Sequence, residues 1–459
     1  MKLVYIIPGG GESSYCENCL RDLAMVGGLR QLGHDAMVLP LYLPLPVNRA
    51  DLPGGVAAPT KDAPSGRHRR LDRASGQTPI FFGGINVYLQ QRFALFRKTP
   101  RWLDWLLDRP RLLRLAARRT GMVAAGELGE ATLSMLRGEE GRQAKELERL
   151  AEWLAGGDAP EIVCLSNGLL AGMARRIRQQ ARCRVVCLLG DEDEFLDALP
   201  EPWRGRAWDE LRRRAGDIDL FLPVSRFYAE YIRQRLALPP ERVRVVHPGL
   251  DAEAYGAAAG ECQPPRACPQ GATPAIGFLS RLCAAKGLGL LVEAFGRLKR
   301  EERFRSLRLR LAGGHAPEDA AFLARLESGL RADGLRAAVD ILPNLDLQPR
   351  LEFLRSLTVL SVPSLRGDAF GLPLVEAMAC GVPVVQPNWA AFPEILEGGG
   401  GLLVKPGSSA ELAHGLAQVL TDAALARQMG QAGRQAVLAR FSATAAAQRL
   451  ADACQGAAV

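Results

Sequence analysis

Asp368-Ala369-Phe370-Gly371-Leu372-Pro373-Leu374-Val375-Glu376-Ala377-Met378-Ala379-Cys380-Gly381-Val382-Pro383-Val384-Val385 is the stretch whose reading decides the fold. An apolar run ending at Val362-Pro363 leads into it. A loop then carries Asp368, and Pro373 suits a first helical turn, where no amide donor is needed. The next apolar run, Val382 to Gln386, returns as a strand. Strand, loop, helix and strand in this order make the unit of a parallel sheet.

The same rhythm extends outward in both directions. Downstream lies Leu402 to Val404; upstream lie Val359 to Val362, Val339 to Leu342, Leu307 to Ala312 and Ile276 to Leu279. From Ala252 to Pro274 the pattern dissolves into Ala, Gly, Pro and Gln, and Pro264-Pro265 can continue neither a helix nor a central strand. Before that break the runs are Leu3 to Ile7, Ala36 to Leu39, Ile162 to Leu165, Val185 to Leu189, Ile218 to Val224 and Val243 to Val246. The expected architecture is α/β, with two doubly wound Rossmann-like domains facing across one deep cleft at the carboxyl ends of their strands. The amino-terminal domain is expected over 1–251, with a basic insertion at about 44–150. A linker at 252–274 and a second domain at 275–440 follow, and a last helix at 441–459 packs back on the first domain.

Composition narrows the class. In 459 residues, 48% are hydrophobic and 24% charged, and no run approaches the ~20 apolar residues of a membrane span. The five-residue apolar run after Lys2 is shorter than an export signal and reads as a first buried strand. On that reading the protein is cytoplasmic and its ten cysteines are reduced thiols. Cys16 and Cys19 read as helix packing rather than a redox pair, and no residues suggest a metal site.

The net charge of +8 is concentrated: between Gln91 and Thr120 stand nine basic residues and two acidic ones. That distribution excludes a broad nucleic-acid surface and points to one local patch. Trp102, Trp105, Leu106 and Leu112 lie among the charges, with a break at Pro110. The segment 91–119 is therefore expected to dock on an anionic membrane surface or a lipid-linked acceptor. The competing reading packs those apolar residues on their own domain.

Two constellations carry chemistry. The amides near Phe370, Gly371 and Leu372 open a helix, and such an end binds anions through unpaired N–H groups and the helix dipole. Glu376 sits about one turn in and leans back toward that end, so its carboxylate can accept bonds from a ribose diol or a sugar. In the second constellation, Ile276 to Gly287, a strand ends in a loop bearing Arg281 and Lys286. Two cations there can clamp a pyrophosphate and stabilise the charge on a departing nucleoside diphosphate. Alone, each of these groups also reads as an ordinary loop charge. Asp191 to Glu194 reads equally as a ligand-contacting or a solvated run, and His34 and His247 read as structural.

These residues resemble glycosyltransferase family 4, whose members have the GT-B fold, retain anomeric configuration and use nucleotide sugars. The resemblance implies that Arg281 and Lys286 hold the donor diphosphate. It gives Glu376 the ribose, and Asp368 with the backbone of Phe370, Gly371 and Leu372 the transferred sugar. Gly10 and Gly11 fall in the family's glycine-rich turn and would let backbone approach donor phosphate or acceptor. Further matches are Pro248-Gly249-Leu250-Asp251, Pro393-Glu394 and Gly401 to Val404. Asp368 stands where the family usually has glutamate. Gly190-Asp191 stands where it often has histidine, and Ser166-Asn167 also replaces family histidines.

The implied activity is transfer of a sugar from a UDP- or GDP-sugar, with no tightly bound cofactor, to a glycan or lipid-linked acceptor in cell-surface glycan or glycolipid synthesis. The alternatives are an epimerase or hydrolase on the same fold and a noncatalytic sugar-nucleotide scaffold.

Overall fold

In the computed structural model, described for residues 1–8, 17–41, 125–257 and 273–456, the chain divides into two compact units. Unit 1 comprises Met1–Val224, Ala229–Val246 and Ala447–Val459; unit 2 comprises Ser225–Tyr228 and His247–Ala446. Gly10, Gly11, Cys16 and the basic segment 91–119 lie outside the described residues.

Unit 1 is built on five parallel strands: β1 (Lys2–Ile7), β2 (Asp35–Pro40), β3 (Ile162–Leu165), β4 (Arg184–Leu189) and β5 (Leu220–Pro223). Their order is β2-β1-β3-β4-β5, with Leu3 paired to both Ala36 and Ile162. Leu3 to Ile7, Ile162 to Leu165 and Val185 to Leu189 are buried at every position. Continuous rather than alternating burial is what a parallel sheet covered by helices on both faces requires.

One expectation for this half is corrected. Val243 to Val246 is not a strand. The Arg244 and Val246 amides do donate to the Phe221 and Pro223 carbonyls at 3.0 Å, but Pro223 has no N–H to return, so the ladder stops at one bridge. Within the stretch expected as an insertion, 125–150 is largely helical. Helices Ala125–Leu136 and Ala144–Ala155 bury Leu133, Leu136, Leu147, Leu150 and Leu154 in the unit's own core.

Unit 2 carries β6 (Ala275–Leu279), β7 (Arg308–Ala312), β8 (Val339–Leu342), β9 (Val359–Leu360), β10 (Val384–Pro387) and β11 (Gly401–Val404). All pairs are parallel, in the order β11-β10-β9-β6-β7-β8. The expected linker starts late, because a short helix, Ala252–Ala257, occupies its first residues and buries Tyr255. The last helix, Ala443–Gly456, places its Cys454 carbonyl 2.6 Å from Arg184 Nη1 on β4.

Strand order locates the functional ends. In unit 2 the chain proceeds from β6 outward through β7 and β8, then restarts at β9 on β6's other side and runs outward through β10 and β11. The loops leaving β6 and β9 therefore diverge and open a crevice at their carboxyl ends. In unit 1 the same divergence falls between β1 and β3. Among the described residues no helix is long and apolar enough to cross a membrane, and Cys164, Cys183, Cys187, Cys283, Cys380 and Cys454 are unbridged.

Candidate functional site

The divergent loops of unit 2 are fastened to each other before any ligand is considered. Leu365 N–H, in the loop after β9, donates to the Ala285 carbonyl, in the loop after β6, at 2.9 Å. Gly287 opens the helix Leu288–Lys299 with φ +76°, and a Cβ there would lie 1.9 Å from the Pro363 carbonyl oxygen. Only glycine satisfies both the left-handed backbone and that approach. The helix itself is anchored by Leu288, Leu291, Ala294, Phe295 and Leu298 on its buried face.

This fastening aims Lys286. Its Nζ donates to Asp368 Oδ1 at 2.9 Å, and the two side chains are 15% and 11% exposed. The sequence assigned the cation to phosphate and the acid to sugar; the structure joins them as one partly buried ion pair. Arg281, from the same loop, is 49% exposed, and its Nε lies 3.6 Å from Asp319 Oδ2. The structure thus brings Lys286 and Asp368 together and leaves Arg281 on the solvent side.

Three residues beyond Asp368 stands Gly371, φ +103°, the N-cap of the helix Leu372–Ala379, which has Pro373 in its first turn. The Phe370 side chain is buried, its ring centroid 6.1 Å from His247 and 5.5 Å from Phe441. What Phe370, Gly371 and Leu372 offer to a ligand is backbone. The loop is braced from beneath by Ser225, whose hydroxyl donates to the Ala369 carbonyl at 2.6 Å.

Glu376 is 1% exposed and not free in the way the sequence reading pictured it. Arg350 Nε lies 3.0 and 3.1 Å from its two oxygens, Arg350 Nη2 also bonds Oε2, and the Tyr255 hydroxyl donates to Oε1 at 2.5 Å. Sequence reasoning missed Arg350 and Tyr255. Arg350 sits in the helix Leu347–Arg355 just before the buried Leu351, Phe353 and Leu354, and an arginine amid apolar neighbours was the available signal.

His247 lies within hydrogen-bond distance (2.6 Å) of Glu394. Burial pushes the Glu394 carboxyl up, but the bonds from His247 and the Arg226 amide outweigh it and hold the group below its ordinary value.

In unit 1 the crevice side of β1 and β3 carries a buried pair, Arg21 Nε donating to Asp22 Oδ1 at 2.9 Å while Nη2 reaches the Ser166 carbonyl at 3.2 Å. Of the acidic run, Glu192 turns inward to accept the Gly168 amide at 2.9 Å. Asp191 takes a left-handed backbone, φ +70°, which a non-glycine residue adopts only under constraint.

Two Rossmann-like parallel-sheet units define the GT-B class of glycosyltransferase folds. Solved structures bear this out. HepE from Anabaena in complex with UDP superposes with a TM-score of 0.64 at 16% identity, covering 99% of this chain and 100% of that one. Sucrose-phosphate synthase from Thermosynechococcus elongatus gives 0.63 at 18% identity, covering 99% of both.

Residues 269–436 match the family model for glycosyl transferases group 1 and residues 114–254 that for Glycosyltransferase Family 4. The chain thus carries a domain of the glycosyl transferases group 1 model and one of the Glycosyltransferase Family 4 model, both of glycosyltransferases. A D-inositol 3-phosphate glycosyltransferase of Corynebacterium jeikeium is 29% identical over 212 residues, 45% of this chain and 50% of its own length. A phosphatidyl-myo-inositol mannosyltransferase of Mycobacterium leprae is 38% identical over 108 residues, 23% of this chain and 29% of its own. The chain spans about half the length, or less, of these curated relatives.

Proposed function

We propose that this protein is a retaining glycosyltransferase that moves a sugar from a UDP- or GDP-sugar to an acceptor hydroxyl. The observation that carries the reading is the Lys286 ammonium, paired with Asp368 at the carboxyl ends of β6 and β9, three residues ahead of the Gly371 helix end. An ordered cation and a helix N-terminus on adjoining loops suit a diphosphate. Asp368 keeps Lys286 in place while the site is empty and releases it to the phosphate oxygens.

In the reaction the bond between sugar C1 and the β-phosphate oxygen breaks, and negative charge collects on that oxygen. Lys286 Nζ, the half-exposed guanidinium of Arg281 and the amide dipoles at Gly371 and Leu372 stabilise it. The acceptor oxygen bonds C1 on the same face, and its proton passes to the departing phosphate oxygen. One C–O bond is exchanged for another, and the diphosphate serves as the base.

The named activities of the relatives support transfer, and their acceptors, inositol 3-phosphate and phosphatidyl-myo-inositol, suggest a polyol hydroxyl, free or lipid-linked. Structural neighbours hold UDP and UDP-glucose, which suits a nucleotide-sugar donor. The test is incubation with UDP- and GDP-sugars and polyol acceptors, with NMR assignment of the product. An acceptor glycoside with the donor's anomeric configuration is expected. Free sugar, or an isomerised donor with no glycoside, would contradict the reading.

The same charge arrangement predicts independence of divalent metal, since Lys286, Arg281 and the helix end would together neutralise the diphosphate. Activity after dialysis against EDTA should equal that before it; a loss restored by manganese or magnesium would overturn this expectation.

A further inference from the structure

We propose that Arg350 and Tyr255 are positioning residues for Glu376 and, through it, for the ribose of the donor; the inference rests on the donor-site reading above. Glu376 lies in a helix whose Leu374, Val375, Ala377 and Met378 are all buried, so its carboxylate has almost no water to stabilise its charge. A carboxyl in such surroundings takes up a proton unless a cation is placed against it. Arg350 is that cation, itself 2% exposed, and its Nε contacts both carboxylate oxygens. The Tyr255 hydroxyl adds a neutral O–H donor on Oε1, the same kind of group that a ribose would present.

Of the other charged or titratable groups nearby, Arg355 donates to the Tyr255 carbonyl at 3.1 Å. Cys380 follows in the same helix, and burial pushes its thiol up to about 12 against the pull of Arg355 and Arg434, so it stays neutral. Arg350 is thus a buried cation in direct contact with both oxygens of Glu376, and it favours the ionised form. Tyr255 fixes the plane in which the carboxylate accepts, and it does so from the helix Ala252–Ala257 at the start of the expected linker.

The experiment is titration calorimetry of UDP and GDP into the wild type, Arg350→Met, Arg350→Lys, Tyr255→Phe and Glu376→Gln, at about pH 6 and about pH 8.5, where a buried unpaired carboxyl changes charge. For Arg350→Met the ratio of its Kd to the wild-type Kd should be about tenfold larger at the lower pH, because the carboxyl is then neutral and loses an acceptor. Arg350→Lys should restore a ratio that is flat with pH. Tyr255→Phe should weaken binding about fivefold in the wild type and have no further effect in the Glu376→Gln background.

A purely structural Arg350 would give a flat ratio, and a purely structural Tyr255 would give equal losses in both backgrounds; either result overturns the assignment. Should Arg350→Met not fold, the Tyr255→Phe pair of measurements decides. Wild-type protein that binds neither nucleotide overturns the donor reading itself, whereas wild-type binding with either structural result overturns this assignment alone.

Discussion

Glu376→Ala should destabilise the protein by about 3–5 kcal/mol, because it breaks a buried ion pair by removing the carboxylate that the Arg350 guanidinium contacts. The sequence alone presents Glu376 as a carboxylate that accepts bonds from a ribose diol or a sugar at a helix end. What changes the expectation is the geometry: the carboxylate is 1% exposed and receives Arg350 and Tyr255 together. An arginine in that position cannot reach water without moving the helix Leu347–Arg355, whose Leu351, Phe353 and Leu354 are core. Loss of activity in Glu376→Ala would therefore report unfolding, and Glu376→Gln is the substitution that separates function from fold. The check is urea unfolding, where Glu376→Ala should lower the midpoint far more than Glu376→Gln does. Equal midpoints for wild type and Glu376→Ala would contradict the account of this pair.

Lys286→Ala should lower the transfer rate by about 30- to 1000-fold, the equivalent of roughly 2 to 4 kcal/mol of barrier, with little change in stability. In the proposed mechanism the ammonium lies against the diphosphate, and its effect is largest where charge grows most, on the oxygen that leaves C1. Its removal frees Asp368, which is 11% exposed and can be reached by water, so no buried charge is stranded. That is the physical difference from Glu376→Ala: one ion pair borders the crevice, the other lies inside the unit. Arg281→Ala should cost less, since that side chain is half exposed and must be recruited by the ligand. A Lys286→Ala variant that turns over at the wild-type rate would remove this residue from the mechanism.

Much of the architecture was legible because buried parallel strands leave continuous apolar runs. Ile162 to Leu165 and Ile276 to Leu279 appear in the sequence almost as they appear in the sheets. The misread segments have local causes. Val243 to Val246 has a strand's composition, yet what stops it is a missing N–H on Pro223, twenty residues away. Helix Ala252–Ala257 was hidden by Ala and Gly, which serve linkers and short helices alike.

In the site, Lys286 and Asp368 were read from their positions at strand ends, but not as partners. A contact between residues 82 apart in the chain leaves no periodicity to detect. Arg350 and Tyr255 were silent for the same reason: one lies in a helix and one beside the linker, and only the fold brings both to Glu376. Gly287 is the reverse case, a turn glycine in sequence whose necessity shows only against the Pro363 carbonyl.

The central claim is that unit 2 binds a nucleoside diphosphate through Lys286. Calorimetric titration of UDP and of GDP into the wild type and into Lys286→Ala tests it most directly. The account predicts saturable binding of at least one nucleotide by the wild type, weakened by roughly tenfold or more in the variant, since a charge-assisted contact contributes about 1.5–3 kcal/mol. Binding of neither nucleotide, or equal affinity in the two proteins, would contradict it.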